Sequence, residues 1–386
     1  LGIIIIDEEH DTSYKSEMTP RYNAKEIAYY LARQNNIPLV LGSATPNVET
    51  YFKLKKENSI ITLKERANNS KLPKVEIIDM KKELAIGNKS MLSIKLHEMI
   101  EENIQKKKQT ILFLNRRGYS TFVMCRDCGY TATCEKCNIT LTYHIRQDRL
   151  KCHYCGYERT NLTECPECHG HNIRYFGTGT EKLEKEINKM FPNAKTIRMD
   201  IDTVSKKNSY EDILNKFKDE NIDILIGTQM VVKGHHFPNV TLVGVIATDS
   251  SMYMSDFRSS ERTFQLLTQV AGRAGREGSE GNVIIQTYNP ENFSIECAKE
   301  QDYMKFYDQE IKLREVLKYP PFCDIIKVEV SDIYEKNVSK YITEIYEKLI
   351  KISGKTMLIY APMPCPISKI KNRYRWRIII KCKLRK

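Results

Sequence analysis

The cysteines constrain this chain more than any other feature. Eight of the twelve form four Cys-x-x-Cys pairs between positions 125 and 168. Each pair places two thiolates on one tight turn, and two pairs complete the tetrahedral shell of a structural zinc site. A disulfide framework is the alternative interpretation, but such frameworks are typical of short secreted chains, whereas this one is long and basic. The spacing therefore predicts two four-cysteine zinc sites.

The segment between the second and third pairs indicates which pairs share an ion. Residues 139–145 predict a strand, 146–148 a turn, and Arg149 onward a returning strand. This hairpin would bring Cys137 and Cys152 together, which favours nested sites over sequential ones. The predicted ligands are Cys125, Cys128, Cys165 and Cys168 for site one, and Cys134, Cys137, Cys152 and Cys155 for site two. Because closed thiolate shells leave no open coordination position, both ions are expected to be structural.

Length and charge limit the class of protein. The chain has 386 residues, enough for two or three domains. Lys and Arg exceed Asp and Glu by twelve, which favours nucleic acid as a partner, although a solvated basic surface is the plainer interpretation. No apolar run is long enough to span a bilayer, so we expect a soluble cytoplasmic protein with no membrane partner. The chain opens without Met on a strand-like segment, and we expect a fragment of something longer.

Alternating strand and helix patterns predict an α/β fold with doubly wound parallel sheets. Residues 1–70 are predicted to form a partial first lobe, residues 71–290 a complete second lobe, and residues 291–386 a small α+β domain. The cysteine module, residues 121–176, is predicted to be an insertion within the second lobe. A single long helix is expected over residues 291–318.

Acidic residues follow the first predicted strand. Asp7, Glu8, Glu9 and His10 come directly after a run of isoleucines, and parallel sheets bind ligands at the carboxyl ends of their strands. A phosphoryl-transfer site uses one carboxylate in a magnesium shell and another to orient the attacking water. A solvated acidic loop is the alternative. The polar sequence Gly-Ser-Ala-Thr-Pro at 42–46 ends the next strand and favours the site.

A basic motif in the second predicted lobe points to the same chemistry. Gln269 is followed by Arg273 and Arg276, which are three residues apart across small residues. Such a pair can present guanidinium groups to a phosphate held by another lobe. An arginine-rich helix end is the alternative interpretation.

Four motifs together resemble motifs II, III, V and VI of superfamily 2 helicases: residues 7–10, 42–46, 227–238 and 269–276. The double four-cysteine insertion after Asn-Arg-Arg-Gly-Tyr at 115–119 narrows the resemblance to the family of primosomal protein N′, the PriA-type replication-restart helicases. The resemblance covers nearly the whole chain, including residues 319–322 and 373–377. It implies two RecA-like lobes, of which the first is partial here.

The resemblance also implies an activity and roles for residues. The implied activity is ATP-dependent 3′→5′ DNA unwinding at stalled forks, followed by primosome assembly, with Mg²⁺ and ATP as cofactors beside two structural zinc ions. The implied partners are forked and single-stranded DNA, primosome proteins and single-strand-binding protein, in the bacterial cytoplasm at the nucleoid. The implied roles are magnesium binding for Asp7, water positioning for Glu8, coupling for His10, Ser43 and Thr45, an arginine finger for Arg276, and support of it by Gln269 and Arg273.

Candidate DNA contacts come from three segments. Tyr14 and Tyr22 resemble the family's aromatic-rich loop, where a ring can stack on a base, although a tyrosine near a strand end is more often packed. Thr228 and Gln229 are expected to touch backbone phosphates. A basic patch around Trp376, or equally a solvated edge strand, is predicted from Lys369, Lys371, Arg373 and Arg375.

One family motif does not occur in the sequence. No Gly-x-x-x-x-Gly-Lys-Ser/Thr phosphate-binding loop is present; Gly-Asn-Lys-Ser at 87–90 lacks the preceding glycine and lies in the wrong lobe. We therefore expect this polypeptide alone to be inactive as an ATPase. The rival hypothesis is a non-enzymatic zinc-ribbon adaptor for DNA or protein on a degenerate helicase scaffold. Glu8 and Arg276 together favour the enzyme, because an adaptor needs neither.

Overall fold

The structure is a computed structural model that describes most of the chain. The described residues are 2–16, 18–63, 72–114, 122–135, 140–144, 148–152, 155–176, 180–200, 203–204, 209–232, 237–246, 248–252, 256–275, 281–354, 357–370 and 372–383. The strands are β1 (Ile4–Ile6), β2 (Leu39–Leu41), β3 (Lys74–Asp79), β4 (Gln109–Leu114), β5 (Phe122–Cys125), β6 (Thr142–His144), β7 (Arg149–Lys151), β8 (Glu158–Thr160), β9 (Ile173–Phe176), β10 (Thr196–Met199), β11 (Ile224–Gly227), β12 (Val240–Ile246), β13 (Asn282–Thr287), β14 (Asp324–Asp332), β15 (Leu358–Ile359), β16 (Met363–Ile370) and β17 (Arg373–Cys382). The helices are α1 (Ala24–Gln34), α2 (Val48–Lys56), α3 (Met80–Ala85), α4 (Ile94–Gln105), α5 (Thr180–Met190), α6 (Ser209–Asp219), α7 (Asp249–Met252), α8 (Ser259–Ala271), α9 (Phe293–Glu300), α10 (Tyr303–Val316) and α11 (Glu335–Ile352).

Six parallel strands form the largest sheet, in the order β10-β11-β4-β12-β13-β3. Successive residues of β4 face opposite sides of the sheet. Ile111 and Phe113 belong to a core shared with α6, α8, α9 and α10, whereas Leu112 and Leu114 belong to a core shared with α4 and α5. Burial on both faces explains why these strands are continuous apolar runs. The result is a three-layer α/β/α lobe.

A second, smaller parallel sheet consists of β1 and β2, with Ile4 opposite Leu39. Helix α1 lies against it and buries Ala28 and Ala32. The paired residues Ile5 and Val40 are 65% and 45% exposed, so one face of this sheet lies open.

Helix α2 connects the small sheet to the large lobe. Val48 at its first position is fully buried in the core that contains α8 and α10, and Tyr51 packs against the same core. The ring of Tyr51 makes edge-on contacts with Tyr303 and Tyr307 of α10, with centroids 5.1 and 4.7 Å apart. The position of α2 therefore depends on both parts of the molecule.

The first and last strands of the cysteine module pair with each other. Strands β5 and β9 pair antiparallel, and β6, β7 and β8 form a three-stranded sheet between them. The predicted hairpin is present as β6 and β7, with Tyr143 opposite Leu150. Leu141 and Leu150 are fully buried in the module's own small core.

The C-terminal part is an antiparallel sheet, β14-β17-β15 with β16 also on β17, covered by α11. Ile342 of α11 meets Ile378 and Ile380 of β17 in its core. One prediction before this sheet is wrong: the single helix expected over 291–318 is two helices, α9 and α10. The chain turns at Gln301, whose φ of 54° is left-handed, and Asp302 caps α10 by accepting from the Lys305 amide.

The α/β fold with an inserted cysteine module and an α+β C-terminal sheet is confirmed. Helices α9 and α10 fall in the range 291–386 that was predicted for the last domain, yet their buried residues join the core of the large lobe. The proposed domain bounds stay a prediction. Within the described ranges, no helix has both the length and the apolarity needed to cross a bilayer.

Candidate nucleotide site and cysteine clusters

The acidic tip lies directly after β1. Asp7 and Glu8 are exposed, and the Glu8 amide donates to Asp7 Oδ1 at 2.9 Å. Glu8 has a φ of 46°, a left-handed conformation that costs a residue with a side chain about 1–2 kcal/mol. A Cβ on Gly42, at the end of β2, would lie 3.4 Å from Asp7 Oδ1. Two neighbouring strand ends therefore meet around an accessible carboxylate, which suits a cation or a phosphate-bound metal.

Glu9, beside these two, is 1% exposed and serves a different purpose. Its carboxylate accepts from Lys25 Nζ at 2.8 Å, from the Asn47 amide and side chain, and from Thr50 Oγ1 at 3.2 Å. These bonds attach the start of α2 to the acidic tip. Nothing in the sequence separates Glu9 from its exposed neighbours, and sequence reasoning missed this role.

His10 joins the two parts of the site. Its Nε2 lies 2.9 Å from Gln269 Nε2, an amide nitrogen that can only donate, so His10 Nε2 accepts. The ring proton is then on Nδ1, which lies 2.8 Å from Ser43 Oγ and 3.4 Å from Glu8 Oε2. The imidazole thus links motifs that are 259 residues apart in sequence.

A second bond runs parallel to the first. The Ser43 hydroxyl accepts from the Thr45 amide at 3.0 Å, and the Thr45 carbonyl accepts from Gln265 Nε2 at 3.2 Å. Gln265 and Gln269 are four residues apart on α8 and therefore share one face of the helix. His10 and Thr45 therefore contact α8 directly, and Ser43 bonds to both of them. Their coupling role stays a prediction.

Of the two arginines of the same motif, Arg273 lies within the described residues. Arg273 follows α8 and is partly buried, and its amide donates to the Val270 carbonyl at 3.0 Å. Arg276 lies outside the described residues. Its role as an arginine finger stays a prediction.

Tyr14 reaches the acidic tip. Its hydroxyl donates to the Asp7 carbonyl at 2.7 Å, which connects the aromatic loop to the candidate metal ligand. Tyr22 is 52% exposed, and its carbonyl accepts from the Ser16 amide at 2.9 Å, which holds the loop together. An exposed Tyr22 in the same loop as a Tyr14 that is fastened to Asp7 is compatible with base stacking, which stays a prediction.

The second DNA segment follows β11. Thr228 is partly buried, and its carbonyl accepts from the Val231 amide at 3.0 Å in the short helix Gln229–Val232. Gly227 is required there, because a Cβ would lie 2.1 Å from Val231 Cγ2. The side chain of Gln229 lies outside the described part of the structure. The phosphate contacts of both residues stay a prediction.

The predicted basic patch is not arranged around Trp376. Strand residues alternate between faces, so Trp376, which packs on the C-terminal core, lies on the face of β17 opposite Arg373 and Arg375. Arg375 pairs with Glu329 at 2.7 Å, and Arg373 donates to the Ser331 carbonyl at 2.8 Å. Lys369 lies over the Tyr374 ring at 4.6 Å. Lys371 lies outside the described residues.

Cysteine site one is assembled as a tetrahedral ligand set would be. The sulfur atoms of its four cysteines lie within 4.8 Å of one another, with Cys125 to Cys168 at 3.6 Å and Cys128 to Cys165 at 3.4 Å. Sulfurs bonded to one zinc at 2.3 Å are about 3.8 Å apart, whereas a disulfide is about 2.0 Å. Burial raises the pKa of the Cys125 thiol to about 11, so a cation must hold the thiolate form. The donor set fits zinc in the nested arrangement.

Site two is seen in part. Cys134, Cys152 and Cys155 also converge within 4.8 Å, with Cys134 to Cys155 at 3.4 Å. Cys137, the fourth predicted ligand, lies outside the described residues. The three described members come from the second and third pairs, as the hairpin predicts.

Site one is fixed to the large lobe at the end of β13. Arg126 donates to the Tyr288 hydroxyl at 2.9 Å, Lys81 to the Cys128 carbonyl at 3.2 Å, and Asn289 to the Gly129 carbonyl at 3.2 Å. Gly129 has a φ of 81°, and a Cβ on it would lie 2.3 Å from the Tyr288 carbonyl oxygen. The module is therefore packed closely against the lobe, and a shift at site one would reach β13.

Three family models match the chain. The PriA DNA helicase Cys-rich region model matches residues 134–159, and the helicase conserved C-terminal domain model matches residues 160–278. The primosomal protein N C-terminal domain model matches residues 315–386. These ranges contain the cysteines of site two, helix α8, and the C-terminal sheet. The expectation that the large lobe is a helicase lobe is confirmed.

Relatives match over nearly the whole chain. The chain is 49% identical over 384 residues to replication restart protein PriA of Bacillus subtilis, which covers 99% of this chain and 48% of the relative. It is 41% identical over 391 residues to PriA of Synechocystis, covering 99% and 47%, and 38% identical over 381 residues to PriA of Borreliella burgdorferi, covering 98% and 56%. The chain thus spans about half the length of the curated relatives it matches. Motifs, fold and similarity agree, and over nearly its whole length the chain is similar to the replication restart proteins named PriA.

Proposed function

We propose that the whole protein is an ATP-dependent 3′→5′ DNA helicase that acts at stalled replication forks in the bacterial cytoplasm and initiates primosome assembly. The observation that carries the proposal is the bond between His10 and Gln269, because it joins the acidic tip to the motif that holds the finger arginine. An adaptor has no use for such a link between lobes. The proposed partners are forked and single-stranded DNA, primosome proteins and single-strand-binding protein.

In this proposal the chain supplies half of an ATP site. Magnesium-bound ATP supplies the phosphoryl group and neutralises part of its charge. Asp7 would hold the metal, since its carboxylate is exposed at the sheet edge. Glu8 would orient the attacking water, since it is exposed beside Asp7. A change in the position of His10 on nucleotide binding would move Gln269 and α8, and with them Arg273 and Arg276.

The cysteine sites would bind two structural zinc ions. In each site four thiolates would close a tetrahedral shell and leave no open coordination position for chemistry. Their proposed contribution is to hold the module in one shape on the edge of the helicase lobe. Two cationic side chains, Lys81 of α3 and Arg126 of the module, lie beside site one, which suits a location beside DNA.

Assays of ATP hydrolysis and DNA binding test the proposal. This polypeptide alone should show no DNA-stimulated hydrolysis, because it has no phosphate-binding loop, yet it should bind single-stranded DNA with an affinity that falls steeply with salt. The whole gene product should hydrolyse ATP, and Glu8→Gln should lower turnover about 10²–10⁴-fold while ATP still binds. Glu26→Gln, an exposed glutamate on α1, is the matched control. A whole gene product that binds DNA but never hydrolyses ATP would favour the adaptor.

A further inference from the structure

A buried cluster of charges lies where α2, α8 and α10 meet. Arg314 of α10 is 1% exposed, and its guanidinium is the centre of the cluster. Its Nε donates to Glu310 at 2.8 Å, one NH₂ group to Glu261 at 2.7 Å, and the other to the Pro320 carbonyl at 3.2 Å, with Glu49 at 3.3 Å. One side chain therefore touches both lobes and the Tyr-Pro-Pro-Phe segment that leads to the C-terminal sheet.

Two of these carboxylates, Glu261 and Glu49, also tie the start of α2 to the cluster. Glu261 uses its second oxygen to accept from the Val48 amide at 2.8 Å. Glu49, one residue later, also accepts from Arg258 at 2.7 Å. Since Glu9 holds the Asn47 amide from the other side, the first turn of α2 is fastened between the acidic tip and the Arg314 cluster.

The same cluster fixes the helix that contacts His10. Glu261 lies on α8 four residues before Gln265 and eight before Gln269, which bond the Thr45 carbonyl and His10. A rotation or slide of α8 that broke the Arg314–Glu261 bond would move both glutamines, because the helix is a rigid element. Arg314 is thus placed to set the register between α8 and the acidic tip.

We propose that Arg314 is a positioning residue through which the C-terminal domain controls the ATP site. The Arg314 guanidinium holds α8 against α2 in the register that keeps Gln269 on His10, and the Pro320 carbonyl ties that register to the C-terminal sheet. Two stacked rings extend the connection: Phe257 and Tyr319 lie 4.7 Å apart and nearly parallel, and Lys381 of β17 lies 3.7 Å from the Tyr319 ring centre. The inference rests on the proposed function, since it concerns the turnover of ATP.

Arg314→Lys in the whole gene product tests the inference. Lysine keeps the positive charge that the buried carboxylates need, but one ammonium group cannot match the planar fork that reaches Glu261, Glu310 and Pro320 together. We expect kcat for DNA-stimulated ATP hydrolysis to fall roughly 10- to 100-fold, the scale expected of a distant residue that misplaces reacting groups, with little change in the KM for ATP. The control is Arg262→Lys on α8, where the arginine makes a surface ion pair with Asp256 at 2.8 Å.

A double variant separates positioning from general stability. If Arg314 acts through α8, then adding Gln269→Ala to Arg314→Lys should lower kcat no further than the stronger single variant. Multiplicative losses, or an Arg314→Lys enzyme as active as Arg262→Lys, would overturn the inference. Should Arg314→Lys fail to fold, Glu49→Gln removes the α2 side of the contact and must lower kcat without raising KM. Absence of hydrolysis in the unaltered protein would overturn the proposed function itself.

Discussion

The two candidate sites of this molecule are built in opposite ways. Cysteine site one takes its ligands from one stretch, 125–168, and its sulfur atoms already converge to 3.4–3.6 Å. The candidate nucleotide site consists of residues from 7–10, 43–45 and 265–269, and its Asp7 and Glu8 are exposed. A closed ligand set stabilises a fold, whereas an open edge shared by two lobes can change with a bound nucleotide. The contrast predicts that loss of metal unfolds the first site. It also predicts that a change in helix register alters the activity of the second.

Removal of zinc should give the largest effect. Structural zinc contributes on the order of 10 kcal/mol to folding of a small module, so a chelator should unfold residues 122–176 and leave the six-stranded sheet intact. Native mass spectrometry should count two ions in the chain, one after Cys165→Ser and one after Cys152→Ser. Cys297→Ser, a buried cysteine outside the module, should keep both.

Hydrogen exchange shows which module strands lose protection in each variant. Cys165→Ser should release β5 and β9, and Cys152→Ser should release β6 and β7. Loss of the site-one ion from Cys152→Ser with site two still occupied would contradict the nested arrangement.

Substitutions of the neighbouring Glu8 and Glu9 should differ in their effect on stability. Glu9→Ala should lower the free energy of unfolding by about 3–5 kcal/mol, because it leaves Lys25 and the Asn47 amide without their buried partner. Glu8→Ala should change it by less than about 0.5 kcal/mol, as expected for an exposed residue. Urea titration of both variants measures the difference. Equal losses would mean that Glu8 is also a structural residue.

The smallest effect concerns Asp249, which lies against the end of β13. It is fully buried and accepts from Thr287 and from the Tyr288 amide, next to the Asn289 that holds the cysteine module. Burial raises its pKa to about 6 from the ordinary 3.8, so the folded protein keeps a proton that the unfolded chain has lost. The stability from this group is full below about pH 4 and falls by on the order of 3 kcal/mol as pH rises through about 6.

Urea unfolding across this pH range tests the Asp249 assignment. Asp249→Asn should flatten the dependence, whereas Asp219→Asn, at an exposed aspartate on α6, should leave it unchanged. A slope that survives in Asp249→Asn would assign the pH dependence to another group.

Much of this fold was predictable because its signals are local. Strand β4 is a continuous apolar run, a pattern that predicts a buried strand from the sequence alone. The helix expected over 291–318 was wrong because Gln301 breaks it: glutamine in a left-handed turn leaves no mark in the sequence, and only the Asp302 cap hints at a new helix. Arg373 and Arg375 are close to Trp376 in sequence, yet they lie on the opposite face of β17 from its ring because strand residues alternate between faces.

The sequence by itself determined the ligand set of the cysteine module, the family, and the motifs at the strand ends, because each depends on residue type and short spacing. Only the tertiary structure decided which carboxylate is buried, which nitrogen of His10 accepts from Gln269, and that Arg314 holds three carboxylates at once. Burial and long-range hydrogen bonds depend on which surfaces meet after folding. Nothing in the sequence distinguishes residues 9, 261 and 314 from other charged residues. They fix the positions of the helices only because the folded chain excludes water around them.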